Sequence, residues 1–396
     1  MFIKLVFLII ISLNLMSCGG GSTSAEEVVL NPPSYYETSE YNSQYALSTI
    51  NASEIYSDGY SGHDVHVAVI DTGVDLDHPD LVNNIEADDS WDYFDNDSDA
   101  NPNGQGASMS HGTHVAGIIA ATKNDVGMHG VAYGAEILAY RAADSSGAFS
   151  SLAIENSIDK AILEDAKVIN ASFGGVGLDV STANKWLLAH NNDIVSVHSA
   201  GNNGLANPDF DATLPNEAGY TALEDTLIAV VATDSNNTIA SYSNQCGIAQ
   251  NWCMAAPGTS IYSTVDTTDT TDANSDGYDT YSGTSMAAPH VSGAVAVLRS
   301  KWPSKTASEV VTILYDTATD LGATGIDSVY GRGLLNLNNA VYAQGVLNLY
   351  TASGVSYTLD DSNLLVSSIM GSALSQSLET AVFDKYKRDY YFNLDN

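Results

Sequence analysis

The sequence predicts an α/β fold in which a mostly parallel central sheet carries helices on both faces. Short apolar runs alternate along the chain with stretches of helical pattern, and this alternation is typical of parallel strands joined by crossover helices. The predicted strands are 65–70, 137–140, 168–170, 194–197 and 227–231. The predicted helices are 111–121, 151–164, 181–190, 285–301 and 306–317.

Length and composition indicate one large domain with short extensions, or two ordinary domains. The chain has 396 residues, of which 44% are hydrophobic, so it can bury a sizeable core. Its 13 Lys and Arg face 48 Asp and Glu, for a net charge of −35. This charge argues against nucleic-acid binding, which needs a basic surface. It is typical of a secreted protein kept in solution by repulsion.

The N-terminus has the pattern of an export signal. Residues 1–17 carry one cation, Lys4, before a nearly continuous apolar run, which predicts a signal peptide. The run ends in Leu-Met-Ser-Cys at residues 15–18, which resembles the lipobox of bacterial lipoproteins. That resemblance implies a lipid on Cys18 and a flexible, lipid-anchored linker over residues 18–40. Ordinary signal cleavage, without a lipid, is the alternative.

Ser285 lies where a nucleophile is well sited. The segment "GTSMAAPH" (283–290) begins a small-residue helix, and a helix N-terminus favours developing negative charge. Gly283 predicts a strained turn before this helix. A serine in such a place is by itself more often a simple N-cap. Other segments of the chain therefore have to decide its role.

Three further segments point to one family. They are "VAVIDTGVD" (67–75), "HGTHVAG" (111–117) and "SAGNNG" (199–204), and with the Ser285 segment they give the order Asp, His, Ser, which is one order of the catalytic triad. Together the four segments closely resemble the signatures of subtilisin-like serine proteases, over about residues 41–345. The resemblance implies a three-layer fold and a serine endopeptidase acting through an acyl-enzyme.

The resemblance also implies a role for each polar residue of these segments. Ser285 is the expected nucleophile and His111 the general base. Asp71 orients His111, and Asp75 is the rival carboxylate. Asn202 is expected to bind the oxyanion, with neighbouring Asn203 as the alternative. His-x-x-His lacks the spacing of zinc proteases, so His114 is interpreted as a core residue and no catalytic metal is expected.

A further segment, Ser172-Phe173-Gly174, resembles the strand that pairs with substrate in subtilisins. Pairing of this kind recognises peptide backbone and tolerates many sequences. We therefore expect protein or peptide substrates, broad specificity, and a preference for apolar or aromatic side chains before the cut.

Two stretches resemble calcium sites of the family. An acidic loop before His111 resembles the calcium loop of thermitase-like subtilases. So many neighbouring carboxylates repel one another unless a hard cation bridges them, which supports a calcium site. Its expected ligands are Asp92, Asp95, Asp97, Asp99 and Asn101. The second site comprises Asp80, Asn124 and the carbonyls of Thr122, Val126 and Met128. Solvated acidic loops are the alternative.

The cysteines fit an exported chain. Assigning Cys18 to lipid leaves Cys246 and Cys253, and an oxidising compartment favours a short-loop disulfide between them. Two buried thiols are the alternative.

Residues 346–396 follow the expected catalytic domain (41–345) as an extension. Residues 380–389 resemble the passage that links protease to membrane barrel in autotransporter subtilases. Between Cys18 and residue 41 there is no space for the folded pro-domain common in the family, so folding is expected to be assisted otherwise.

The sequence thus predicts a monomeric, exported endopeptidase of the bacterial cell envelope, lipid-anchored or secreted. A non-catalytic binding lipoprotein on the same fold is one rival hypothesis. A maturation protease that releases neighbouring surface proteins is the other.

Overall fold

The computed structural model describes residues 31–174, 179–268, 277–350, 356–358 and 379–393. The predicted signal peptide and Cys18 lie outside these residues. Contacts divide the chain into a unit spanning Leu30–Val341 and a second unit that includes Tyr342–Asn396. None of the helices in the described ranges is long and apolar enough to cross a membrane.

The larger unit contains a seven-stranded sheet, and all its strand pairs are parallel. Its strands are β1 (His66–Asp71), β2 (Trp91–Asp92), β3 (Glu136–Arg141), β4 (Val168–Ala171), β5 (Val195–Ser199), β6 (Leu227–Thr233) and β7 (Cys253–Pro257). They lie in the order β2-β3-β1-β4-β5-β6-β7. A separate antiparallel ribbon pairs β8 (Ile261–Thr264) with β9 (Tyr278–Tyr281).

Helices join these strands and cover the sheet. They are α1 (Pro33–Tyr36), α2 (Ser39–Ser43), α3 (Tyr45–Thr49), α4 (Ser53–Ser57), α5 (His111–Ala120), α6 (Ser151–Leu163), α7 (Val180–Asn191), α8 (Thr284–Lys301), α9 (Ala307–Thr317) and α10 (Leu337–Val341). The five strands and five helices expected from the sequence are all present, with ends shifted by a few residues.

The helices pack on both faces, as strand β4 shows. Ile169 and Ala171 belong to the apolar cluster that includes residues of α6 and α7. Asn170, between them, points to the other face, where its Oδ1 accepts a hydrogen bond from Ser292 of α8 at 2.8 Å. The predicted three-layer α/β fold is therefore confirmed.

Short helices lie within the segment that the sequence assigned to a linker. Residues assigned to a linker over 18–40 include α1 and the start of α2, and Glu40 is only 2% exposed. The helices were missed because four- and five-residue segments show no helical periodicity. At the other end the larger unit stops at Val341, before the predicted boundary at 345.

The second unit contains a small antiparallel sheet. Its strands are β10 (Asn348–Tyr350), β11 (Ser356–Thr358), β12 (Glu379–Phe383) and β13 (Asp389–Asn393), in the order β11-β10-β12-β13. A buried pair of Asp384 and Arg388 forms the turn between β12 and β13, with 2.9 Å from Arg388 Nε to Asp384 Oδ2. This turn also holds the backbone N–H of Gln344, which donates to Asp384.

Candidate active site

Asp71 and His111 meet at the carboxyl end of the sheet. Asp71 is the last residue of β1 and His111 is the first residue of α5. His111 Nδ1 lies 2.7 Å from Asp71 Oδ1, which leaves His111 Nε2 to accept a proton. Burial lowers the pKa of His111, but the charge and hydrogen bond of Asp71 outweigh it and the pKa is raised.

Two neighbouring residues hold this pair in place. The Thr72 hydroxyl donates to the Met109 carbonyl at 2.9 Å and accepts from the Gly112 N–H at 3.1 Å, which fastens the start of α5 to the end of β1. A Cβ on Gly112 would lie 2.2 Å from the Gly73 carbonyl oxygen. Only glycine therefore allows α5 to approach β1 closely enough for this contact.

The rival carboxylate, Asp75, serves a neighbouring loop. Its Oδ2 accepts hydrogen bonds from the N–H and hydroxyl of Thr267 at 2.9 and 2.7 Å, and its Oδ1 accepts from the Asp77 N–H. Asp71 is thus the carboxylate that contacts His111.

Ser285 lies in the first turn of α8, which packs against α5. Its hydroxyl donates to the Ser172 carbonyl at 3.0 Å, and the Ser172 hydroxyl donates in turn to the Ser285 carbonyl. Within the described residues, no hydrogen bond joins Ser285 to His111. The structure therefore brings Asp71 to His111 and Ser285 to Ser172. The Ser285 hydroxyl points to the Ser172 carbonyl.

Asn202 and Ser285 direct two N–H donors into one space. Asn202 Oδ1 accepts from the Thr284 N–H at 2.8 Å and from its hydroxyl at 3.1 Å, so the amide nitrogen Nδ2 remains for a ligand. A Cβ on Gly283 would lie 3.5 Å from Asn202 Nδ2 and 3.6 Å from the Ser285 nitrogen. Both donors thus border a space that is open because residue 283 has no side chain.

The prediction of a strained turn at Gly283 is wrong. The residue has φ 166° and ψ 162°, which is extended backbone. The missing side chain of Gly283 leaves space beside Asn202 Nδ2, and its extended backbone does not need glycine.

Asn244, which sequence reasoning missed, organises the loop that carries Asn202. Its Oδ1 accepts from the N–H groups of Asn203 and Leu205 at 3.2 and 2.9 Å. Its Nδ2 donates to the Ala200 carbonyl at 2.9 Å. These bonds fix the backbone on both sides of Asn202. No local pattern signals these bonds, since the partners lie about 40 residues apart.

The predicted disulfide between Cys246 and Cys253 is present. Both cysteines are fully buried, and Cys253 begins β7. The bond therefore ties the segment just after Asn244 to the central sheet.

The predicted substrate strand, Ser172 to Gly174, directly follows β4. Phe173 is half-buried, and its ring packs against Phe149 with centroids 4.5 Å apart. Gly174 lies against a carboxylate, since a Cβ there would be 2.6 Å from Asp209 Oδ2.

His114 is fully buried away from these groups. Its Nε2 lies 3.0 Å from the Ile261 carbonyl oxygen, and its ring stacks on Tyr281 with centroids 4.3 Å apart. Burial lowers its pKa to about 3, so it stays neutral as a core residue.

The acidic loop surrounds a pocket of about 200 Å³ that also includes Arg141. The carboxylates and amide that line it are Asp92, Asp95, Asp97, Asp99 and Asn101. Buried Arg141 donates to Asp92 and Asp95, with 2.7 Å from Nε to Asp92 Oδ2. The protein's own guanidinium thus neutralises part of this charge. In the part of the chain that the structure describes, no three His, Cys, Asp or Glu side chains form a metal-binding group.

The second predicted site has a different arrangement. Asp80 is fully buried, and its two oxygens accept from Asn124 Nδ2 at 2.8 Å and from the Tyr278 hydroxyl at 2.6 Å. Glu40 of α2 reaches the same loop, where its Oε1 accepts the N–H groups of Asn124 and Asp125 at 2.8 and 2.7 Å. Glu40 Oε2 is buried and has no hydrogen-bond partner among the described residues.

Comparison with known proteins relates this chain to one family of proteases. Residues 62–333 match the subtilase family. Subtilisin E of Bacillus subtilis strain 168 is 40% identical over 298 residues, which cover 75% of this chain and 70% of that protein. Thermitase of Thermoactinomyces vulgaris is 36% identical over 303 residues, which cover 75% of this chain and 95% of thermitase. The extracellular serine protease of Serratia marcescens is 31% identical over 378 residues, 79% of this chain and 35% of that protein.

Proposed function

The chain belongs to the subtilase family and is a subtilisin-like serine endopeptidase, and on that premise we propose that Asp71, His111 and Ser285 are its catalytic triad. The observation that carries this assignment is the 2.7 Å contact between Asp71 and His111, at the sheet edge where α5 packs on α8. Asp71 holds the imidazole in the tautomer that leaves Nε2 free to act as a base.

The reaction begins when the Ser285 hydroxyl turns from the Ser172 carbonyl toward His111 Nε2. His111 takes the hydroxyl proton while the oxygen attacks the peptide carbonyl carbon. The negative oxygen enters the space bordered by Asn202 Nδ2 and the Ser285 N–H, which stabilise it. His111 then gives its proton to the leaving amine, and an acyl-enzyme remains. Water hydrolyses this ester by the same steps, which restores Ser285.

Substrates are extended segments of proteins or peptides. The backbone from Ser172 to Gly174 follows β4 and carries the carbonyl that contacts Ser285. A peptide paired with this strand is recognised by its own backbone, which supports broad specificity at most positions. Phe173 and Phe149 add an apolar contact surface.

Calcium is proposed as a structural ion, implied by the family. Glu40, Asp80 and Asn124 suit it, because a hard cation would supply the partner that the buried Glu40 Oε2 lacks. Main-chain carbonyls of Thr122, Val126 and Met128 would complete the site. Bound there, the ion neutralises two buried carboxylates and orders the loop after α5. The acidic loop with Asp97 and Asp99 is a second candidate site. Arg141 already binds Asp92 and Asp95 there, so fewer carboxylate oxygens are available to an ion.

Export and lipid anchoring at Cys18 are proposed from the N-terminal pattern alone. Mass spectrometry of the mature N-terminus should find an acylated Cys18. An unmodified N-terminus between residues 18 and 40 would contradict the anchor.

Hydrolysis of casein tests the proposed function. Wild type should degrade it, and Ser285→Ala should reduce the rate by at least about 10⁴-fold, whereas Ser282→Ala, an exposed neighbouring serine, should keep it. Equal rates for wild type and Ser285→Ala would contradict the assignment. A folded wild type without any peptidase activity would favour a non-catalytic binding protein.

A further inference from the structure

A carboxylate that the proposed mechanism does not use, Asp209, lies between two glycine segments of the site. A Cβ on Gly174 would lie 2.6 Å from Asp209 Oδ2, and a Cβ on Gly201 would lie 2.4 Å from the same oxygen. A side chain at either position would therefore displace this carboxylate, and Gly201 also has φ +100°. The carboxylate is in direct contact with the backbone of each segment.

These two segments flank the reacting centre. Gly174 follows Ser172 by two residues, and the Ser172 carbonyl contacts the Ser285 hydroxyl at 3.0 Å. Gly201 immediately precedes Asn202, whose Nδ2 borders the oxyanion space. A peptide with its carbonyl carbon at Ser285 and its oxygen in that space would direct the side chain of the same residue toward these two segments. Asp209 contacts both of them.

Asp209 is oriented by two hydrogen bonds. Its N–H donates to the Ala200 carbonyl at 2.8 Å, and its Oδ1 accepts from Asn244 Nδ2 at 3.1 Å. Over the described ranges of the chain, Oδ2 accepts no hydrogen bond and no Lys or Arg forms an ion pair with Asp209. Partial burial raises the pKa of Asp209, against a smaller lowering by Asn244. The carboxylate is thus poorly solvated, and a positive partner would stabilise its charged form.

We propose that Asp209 selects substrates with Lys or Arg immediately before the cut. The inference rests on the proposed function and replaces the expected apolar preference at this one position. A half-buried, oriented carboxylate binds a cationic side chain through charge-assisted hydrogen bonds. The net charge of −35 also attracts basic segments of a substrate to the enzyme.

Peptide anilides that differ only in the residue before the cut test the proposal. Wild type should hydrolyse the Arg and Lys peptides with kcat/KM at least about tenfold above the Phe and Leu peptides. Asp209→Asn should lower kcat/KM for the Arg and Lys peptides about 10–100-fold more than it lowers kcat/KM for the Phe peptide. Asp225→Asn, which removes an exposed carboxylate, should change neither preference.

A second measurement needs no variant and therefore decides the question even if Asp209→Asn fails to fold. Benzamidine, a small aromatic cation, should inhibit hydrolysis of the Phe peptide by wild type competitively. Absence of inhibition, or better cleavage of Phe and Leu than of Arg and Lys, overturns the role of Asp209 while peptide hydrolysis upholds the endopeptidase. If folded wild type hydrolyses none of the peptides, the proposed function fails and the Asp209 inference fails with it.

Discussion

In the proposed triad, the Asp71–His111 pair determines the pH range of activity. His111 must be neutral to accept the Ser285 proton, and its pKa is raised above 6.5 by Asp71 despite burial. We therefore predict that kcat/KM rises with pH through an apparent pKa above 6.5. A pH–rate profile of wild type checks this prediction, and an acid limb centred below pH 6.5 would contradict it.

Asp71→Asn should reduce kcat by about 10⁴-fold.

Asn202 is proposed as one of the two donors to the oxyanion. Asn202→Ala should lower kcat by about 10²–10³-fold with little change in KM, because the donor acts mainly on the transition state. Asn203→Ala is the matched control, since only its backbone N–H is held by Asn244, and it should keep most activity. Steady-state kinetics measures both, and equal kcat values for the two variants would exclude Asn202 as the donor.

Gly283→Ala tests the same space without removing a donor. The added Cβ meets Asn202 Nδ2 and the Ser285 nitrogen at ordinary contact distances of 3.5 and 3.6 Å, so the fold should tolerate it. Activity should nevertheless fall, because the methyl group fills the place of the oxyanion. An alanine variant with full kcat would refute this account of the glycine.

Single residues also show what the sequence could and could not predict. The family motifs single out Asp71, His111, Asn202 and Ser285 as candidates, because each lies in a short contiguous signature. Glu40, Arg141 and Asn244 were missed because their partners lie far along the chain, as in the bond from Asn124 to Glu40 across 84 residues. Spacing in a sequence carries no information on such contacts.

At the scale of elements, α5 depends on the loops at its two ends. Glu40 and Asp80 hold the loop after α5, and Arg141 holds the acidic loop before it. Calcium at the Glu40–Asp80 site should stabilise the fold by about 2.7 kcal/mol at a hundredfold excess over Kd. EDTA should therefore lower the Tm of the inactive Ser285→Ala protein, and added calcium should restore it.

Glu40→Gln provides the matched variant for this prediction. It keeps the shape of the side chain but removes its charge, so the rise in Tm caused by calcium should shrink. Glu224→Gln, at an exposed position, should leave that rise unchanged. An unchanged Tm on chelation, with no calcium binding in calorimetry, would show that these carboxylates are stabilised without an ion.

Elements with a strong pattern were predicted well and short ones were not. Strand β6 begins with a continuous apolar run over residues 227–232, and α8 has a long run of small and apolar residues, so each could be recognised from the sequence alone. The helices α1 to α4 span only four or five residues each. They are stable through tertiary contacts, such as the 2.7 Å bond between Gln44 and His290 of α8, that no local pattern reveals.

The whole molecule should be sensitive to acid because it buries neutral histidines. Burial lowers the pKa to about 3 for His114 and His198 and to about 4 for His129 and His290. Unfolded histidines titrate near 6.5, so the unfolded chain binds more protons below that pH. Stability should fall as pH decreases from about 6.5 to 4, by up to about 1.4 kcal/mol per pH unit for each histidine.

Urea midpoints of the Ser285→Ala protein at pH 7 and pH 5 measure this loss. His198 offers a specific variant, because neither of its ring nitrogens has a partner within the described residues and its ring packs on Trp186. His198→Leu should reduce the difference between the two midpoints, whereas replacement of the exposed His63 should not. Equal midpoints at both pH values would contradict the prediction.

Covalent labelling tests the assignment of Ser285 as the nucleophile most directly. A fluorophosphonate reacts with a serine only when a neighbouring base activates it. We predict that wild type is labelled on the peptide containing Ser285, that Ser282→Ala is labelled equally, and that Ser285→Ala is not labelled. Label on another serine, or equal labelling of wild type and Ser285→Ala, would contradict the assignment of Ser285.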